Sequence, residues 1–221
     1  MVKIVLDFDG VLFDSAFEAY SVCQEVLAGK HFKEMRHDVS YVEFLNYRPN
    51  VRNAEDFIDL YFGLNKAFHP CKYEFLETFF SSRVILSSHL DYSEKYFPRY
   101  EFFNMIYPLL LSHSERFYIL STRDKSSIDA ALKNYGVDLT NRIIGQDSIR
   151  KNGNKINALR DAGVEQCDLY VDDMEHYVDE LRPLSKMVLI ADWGYGHYNK
   201  DSCSAATISK LVNFILDQEN Y

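Results

Sequence analysis

The sequence predicts an α/β protein: a doubly wound, mostly parallel sheet interrupted by an inserted α-helical segment. Three observations predict it. Short, branched apolar runs alternate with helix-period patterns towards both ends of the chain. That rhythm stops between residues 16 and 107. Carboxylate or hydroxyl side chains follow several of the apolar runs directly.

Residues 2–6 form the first strand-length run, and 117–120, 169–171 and 187–190 share its form. Ile143 and Ile144, stopped by Gly145, make a shorter fifth. Helix patterns lie between them. Ser126 reads as an N-cap, and Ile128, Ala131, Leu132 and Tyr135 recur at helical spacing before Gly136. Ile156, Leu159 and Ala162 do the same before Gly163. Val178, Leu181 and Leu184 form a shorter helix, and Ile208, Leu211, Val212 and Ile215 a last one. Parallel strands need crossovers of this kind, so the sheet should be covered on both faces.

Between 16 and 107 no strand pattern stands out. Phe17, Tyr20 and Val26, then Phe57, Leu60 and Leu64, then Phe75, Phe79 and Phe80 suggest several helices. The stretch holds 21 of the 33 aromatic residues. They are expected to form the insert's own core, with a substrate-facing cluster as the alternative. The division is therefore a core of residues 1–15 and 108–221 and a helical insert of 16–107. Pro108, with its locked φ, is expected to restart the core helix.

Hydrophobic residues make up 47% of the chain, enough to bury a core, and the net charge is −9. That charge argues against nucleic acid or an anionic membrane as the main partner. An anionic substrate would need a local site or a bound cation. The longest apolar stretch, 106–111, is far short of the roughly 20 residues of a membrane span. No leader pattern precedes the first strand, and the four cysteines lie far apart without a Cys-x-x-Cys. A cytoplasmic protein is expected. Lys30, His31, Lys33, Arg36 and His37 make a basic run, read as a solvated helix end or as a contact for an anionic substrate.

The sharpest motif is Asp7-Phe8-Asp9-Gly10-Val11-Leu12-Phe13-Asp14-Ser15, directly after the first strand. Two carboxylates at i and i+2 share a pocket only if the backbone turns, and Gly10 permits that turn. Close carboxylates repel unless a cation or proton compensates. The pair therefore suggests a hard divalent cation and acid/base work, or else an ordinary acidic turn. Three later features bear on the choice. Ser121 follows the run 117–120, where its hydroxyl would donate to a phosphoryl oxygen or cap a helix. Asp172 and Asp173 follow 169–171, with Asp179 further on. Lys155 precedes a helix pattern, with Lys151 as a competitor. In a parallel sheet the carboxyl ends of the strands share one edge, so Asp7, Ser121 and Asp173 should converge.

These residues together resemble the haloacid dehalogenase-like (HAD) hydrolase superfamily, over the whole chain. Asp7-x-Asp9-Gly10-Val11-Leu12-x-Asp14-Ser15 is similar to its first motif, and to the branch whose helical cap follows that motif, as in phosphoglycolate phosphatase and β-phosphoglucomutase. Residues 117–121 resemble the second motif, Lys155 the third, and Val171-Asp172-Asp173 the fourth. The fourth more often reads Gly-Asp, so Asp173 falls in the metal-binding slot with Asp172 as a rival. Trp193-Gly194-Tyr195-Gly196 resembles a Gly-rich turn that relatives carry near the site.

The resemblance implies an aspartyl-phosphate phosphatase acting on a small phosphorylated metabolite or nucleotide. Asp7 would be the nucleophile and Asp9 the general acid and base. Mg²⁺ would sit on Asp7, the Asp9 carbonyl and Asp173 or Asp172. Ser121 and Lys155 would hold the phosphoryl oxygens. Asp9 matches an acid that the family's dehalogenases generally lack. A sugar phosphomutase using the same residues, or a non-catalytic phosphoacceptor or binding protein, is the alternative.

Overall fold

The computed structural model describes residues 1–29, 32, 34–51, 54–63, 71–87, 89, 91–196 and 202–218. Lys30, His31, Lys33 and Leu64 lie outside them. The chain divides into two compact units, Met1–Asp14 with Ser93–Tyr221, and Ser15–Tyr92.

The first unit is built on one sheet: β1 (Ile4–Leu6), β2 (Phe117–Leu120), β3 (Ile143–Ile144), β4 (Leu169–Asp172), β5 (Val188–Ala191) and β6 (Ser202–Cys203). The order is β3-β2-β1-β4-β5-β6 and every pairing is parallel. Ile4 pairs with Phe117 on one side and Leu169 on the other, and Leu6 with Ile119 and Val171. β1 is thus a central strand, and all three of its residues are buried. That burial on both faces is why it reads as a continuous apolar run and not as an alternation. β6, only Ser-Cys long, carries no apolar signal and was not anticipated from the sequence.

In the second unit α1 (Ser15–Ala28) packs on α4 (Lys72–Ser87), with α2 (Tyr41–Tyr47) and α3 (Phe57–Phe62) as shorter pieces. No strand occurs among its described residues. Its rings pack on one another: Phe44 stacks on Phe57 at 4.9 Å, and Phe57 and Phe75 each meet Phe79. Two acids are buried among its described residues, Glu18 and Asp56. Glu18 on α1 is 0% exposed and accepts from Arg83 Nη2 at 2.6 Å, from Arg83 Nε at 3.2 Å and from the Tyr92 hydroxyl. Arg36, in the loop between α1 and α2, pairs with Asp38 and Glu43 at exposed positions.

α5 (Tyr92–Tyr96) begins at the last residue of the second unit, and the first unit continues with α6 (Glu101–Ser112), α7 (Lys125–Asn134), α8 (Gln146–Asn152), α9 (Lys155–Asp161), α10 (Glu175–Leu181) and α11 (Ala205–Asp217). Four expectations need correction. Pro108 does not restart a helix; it lies inside α6. An interior proline costs about 3 kcal/mol. Phe102, Phe103, Ile106 and Leu110 are all buried on α6, and each contributes about 1.5–3 kcal/mol, which outweighs that cost. The boundary between units accordingly falls at 92/93 and not at 107/108. The N-cap of α7 is Asp124 and not Ser126: its carboxylate accepts from the Ser127 N–H at 2.8 Å and from the Ser126 hydroxyl at 2.8 Å. Leu184 lies beyond the end of α10, although it is buried in the core. α8, which buries none of its residues, has no apolar period to announce it. No helix among the described residues is long and apolar enough to cross a membrane.

The buried Glu18 predicts a large mutational effect. Arg83→Met strips the bidentate partner from a carboxylate that water does not reach. It should cost about 3 kcal/mol, read as a lowered midpoint in urea or thermal unfolding. A variant as stable as the parent would show that the Arg83 pair does not hold Glu18.

Candidate active site

Asp7 leaves the centre of the sheet from β1, and its N–H donates to the Val171 carbonyl at 2.9 Å. The chain then turns at once. Leu12 and Phe13 both donate to the Phe8 carbonyl at 3.0 Å, and Gly10 N–H donates to the Phe13 carbonyl at 3.0 Å. Gly10 has φ +84°, and a Cβ there would stand 2.3 Å from Asp173 Oδ2. Conformation and space each require glycine. Asp14 closes the loop, accepting from Arg99 Nε at 2.6 Å and from the Tyr195 hydroxyl at 3.1 Å.

Lys155 is the first residue of α9, whose N-cap Asn154 accepts from the Asn157 N–H. Its ammonium is 1% exposed and reaches back into the sheet edge. It donates to Asp172 at 2.8 Å, to the Tyr170 hydroxyl at 3.1 Å and to Asp7 Oδ1 at 3.2 Å, and sits 3.8 Å from the centre of the Tyr177 ring. Burial pulls the ammonium towards its neutral form, but the carboxylates of Asp172 and Asp7 outweigh it and hold its pKa above the ordinary lysine value. Lys151, the rival in the sequence, lies exposed on α8 and pairs with Asp161.

Asp172 and Asp173 divide sharply in their surroundings. Asp172 is fully buried and accepts from Lys155, from the Tyr170 hydroxyl in a short bond, and from the Met174 N–H at 2.9 Å. Asp173 sits in a cradle of glycines. A Cβ on Gly194 would be 2.1 Å from its Cβ, and one on Gly196 2.0 Å from its carbonyl oxygen. The Tyr195 N–H donates to Asp173 Oδ2 at 2.6 Å. The 193–196 turn therefore fixes Asp173. Asp179 lies outside the group, in an exposed pair with Arg182.

Asp7, Asp172 and Asp173 each offer a carboxylate oxygen, all within 4.8 Å of one another. Burial, first, then Asp172, Asp173 and Asp9 push the Asp7 carboxyl well above its ordinary value of 3.8, against the pull of Lys155. Ser121, at the end of neighbouring β2, is buried, donates its N–H to the Ile144 carbonyl and accepts from the Arg123 N–H at 3.4 Å. Asp9 accepts from Arg123 Nε, at 3.0 and 3.3 Å to its two oxygens. Asp7, Ser121 and the Asp172–Asp173 pair thus lie at the carboxyl ends of β1, β2 and β4, with Asp9 in the loop after β1 and Lys155 reaching in from α9, while Lys151 and Asp179 lie apart. Arg123, Tyr170 and Tyr177 were not singled out. Arg123 stands two residues after Ser121, just past the residues that resemble the second motif, and nothing in the local pattern ties it to Asp9; the tyrosines carry no sequence signal beyond strand and helix apolarity.

No protein-family model matches the chain, and no curated protein does. Solved structures do match. A haloacid dehalogenase-like family hydrolase from Streptococcus pneumoniae has a TM-score of 0.63 at 18% identity, covering 97% of this chain and 98% of that one. The fold is haloacid dehalogenase-like. A β-phosphoglucomutase from Clostridium difficile shares the HAD-like fold with a TM-score of 0.62 at 15% identity, over 99% of both chains. So does a HAD family hydrolase from Deinococcus radiodurans with bound phosphate and sodium, at 0.54 and 14%, over 96% of this chain and 95% of that one. The resemblance read from the motifs is borne out as a shared HAD-like architecture.

The raised Asp7 pKa carries a stability consequence. A carboxyl whose folded pKa lies above its unfolded value contributes stability that is present in full below the unfolded value and lost as pH rises through the folded one. With chelator present, the melting temperature should fall as pH rises from about 4 towards neutrality. Asp7→Asn should flatten that fall and raise the melting temperature at neutral pH, because it removes a buried charge. Thermal unfolding of both proteins across this range checks it; an unchanged profile in Asp7→Asn would assign the slope to other carboxylates.

Proposed function

We propose that the chain is a Mg²⁺-dependent phosphatase that hydrolyses a small phosphorylated metabolite or nucleotide through an aspartyl-phosphate on Asp7. One observation carries the reading: the carboxylates of Asp7, Asp172 and Asp173 lie within 4.8 Å of one another beside a buried lysine. This donor set fits a hard divalent cation, since it offers only carboxylate oxygens and gathers more negative charge than Lys155 balances. Asp172 is committed to Lys155, Tyr170 and the Met174 N–H. That leaves Asp7 and Asp173, with the Asp9 carbonyl, to hold the metal. Bound there, Mg²⁺ would screen the approach of an anionic phosphate to the Asp7 carboxylate.

The protein's own groups divide the remaining work. An Asp7 oxygen attacks phosphorus as the ester P–O bond breaks, and the Asp9 carboxyl gives its proton to the departing oxygen. Asp9, now a carboxylate, takes a proton from water as that water attacks the same phosphorus. The P–O bond to Asp7 breaks, phosphate leaves and the nucleophile is restored. Lys155, already 3.2 Å from Asp7 Oδ1, and the Ser121 hydroxyl hold the phosphoryl oxygens.

A panel of phosphorylated metabolites, with phosphate release measured under Mg²⁺ and under chelator, tests the reading. Mg²⁺-dependent release supports it, and a rearranged phosphate ester without release would replace it with a mutase. Asp7→Asn should abolish turnover in a folded protein. Asp9→Asn should lower the rate about 10²–10⁴-fold on alkyl esters and less on aryl esters, whose leaving groups need less protonation. Metal titration should show Asp173→Ala losing more affinity than Asp172→Ala. The reverse order would make Asp172 the ligand.

A further inference from the structure

Building on the phosphatase reading, we infer that Arg123 is a positioning residue that aims the Asp9 carboxyl at the leaving-group oxygen. The motif itself supplies the parts. Asp9 is flanked in sequence by Phe8 and Phe13, and the turn that Gly10 permits stacks those two rings with centroids 5.0 Å apart. The Arg123 guanidinium lies over both, 4.8 Å from the Phe13 centroid and 5.6 Å from that of Phe8. From this shelf its Nε donates to both oxygens of Asp9. The root of the arm is fixed as well. The Arg123 carbonyl accepts from the Gln146 N–H at 2.9 Å, where α8 begins.

A guanidinium keeps its charge at any accessible pH, and taking it out of water is costly unless it is paired. The Arg123 side chain is only 2% exposed, whereas that of Asp9 is 20% exposed. The arginine is therefore packed behind the acid, and the acid still faces the open side. Asp9 needs such a brace. It stands beyond the end of β1, next to a glycine with positive φ, where a single backbone bridge to Phe13 fixes the main chain and leaves the carboxyl to be aimed by its side-chain partner. A general acid must come within about 2.6–3.2 Å of the oxygen it protonates. A displacement of about 1 Å can cost about 10²-fold in rate. Lysine would not replace arginine here, because a compact ammonium does not present a fixed planar edge to the carboxylate.

The test compares the parent, Arg123→Met, Asp9→Asn and the double variant on two esters. One is the alkyl phosphate of the panel that is turned over fastest; the other is p-nitrophenyl phosphate. Arg123→Met should lower kcat on the alkyl ester about 10- to 100-fold with little change in KM, and lower it much less on p-nitrophenyl phosphate. In the Asp9→Asn background the same change should cost nothing further, because both act through one proton transfer. Arg123→Lys, which keeps the buried charge, serves if Arg123→Met does not fold, and should show the same ester dependence in weaker form. Equal losses on both esters, a loss that multiplies with that of Asp9→Asn, or a loss confined to KM would overturn the inference and make Arg123 a phosphate-binding group. A parent that releases no phosphate from any ester defeats the phosphatase reading itself, before Arg123 is reached.

Discussion

The crowding of carboxylates at one edge of a parallel sheet is the constraint on which the rest of this architecture depends. Three strand ends place Asp7, Ser121 and the Asp172–Asp173 pair side by side, because β2, β1 and β4 are neighbours and run the same way. Repulsion in a dry pocket makes that arrangement costly, and the surrounding structure answers it group by group. Lys155 neutralises Asp172 and leans on Asp7, Tyr170 adds a donor, and Tyr177 offers its ring face to the ammonium. Burial and the neighbouring acids still make ionisation of Asp7 costly. A site poised in this way suits a bound cation and an anionic substrate better than it suits stability.

Space is the second constraint. Asp173 is approached by two distant parts of the chain, the loop at Gly10 and the turn at Gly194–Gly196, and both approach too closely for any side chain. The glycines differ in their reasons. Gly10 needs a left-handed backbone as well as room, whereas Gly194 and Gly196 are required by proximity alone. Tyr195 lies between the latter two and serves twice, with its N–H on Asp173 and its hydroxyl on Asp14. The turn that looked secondary in the sequence is thus a wall of the site.

Much of the fold was legible because a parallel sheet writes itself plainly. Its central strands are buried on both faces and so must be apolar throughout, as residues 4–6 and 169–171 are. What escaped did so for the converse reason. β6 is two polar-to-neutral residues at an edge, and α8 buries nothing, so neither leaves a periodic trace. Pro108 misled because a local rule was read without its context: four buried side chains on α6 outweigh one missing hydrogen bond.

The sequence by itself determined the alternation, the insertion after the first strand and the placing of Asp7, Ser121 and the Asp172–Asp173 pair after strand-length runs, since each depends on local pattern or on the shared direction of parallel strands. Only the tertiary structure decided between competitors. Lys155 and Lys151 are four residues apart and chemically alike, yet one is buried against Asp7 and the other lies exposed beside Asp161. Asp172 and Asp173 are adjacent, yet the alternation of a strand end turns one towards Lys155 and Tyr170 and leaves the other among glycines. Arg123 became a partner of Asp9 only when a turn stacked Phe8 on Phe13 beneath it. Those choices depend on distances between residues remote in sequence, and such distances are set by packing and not by pattern.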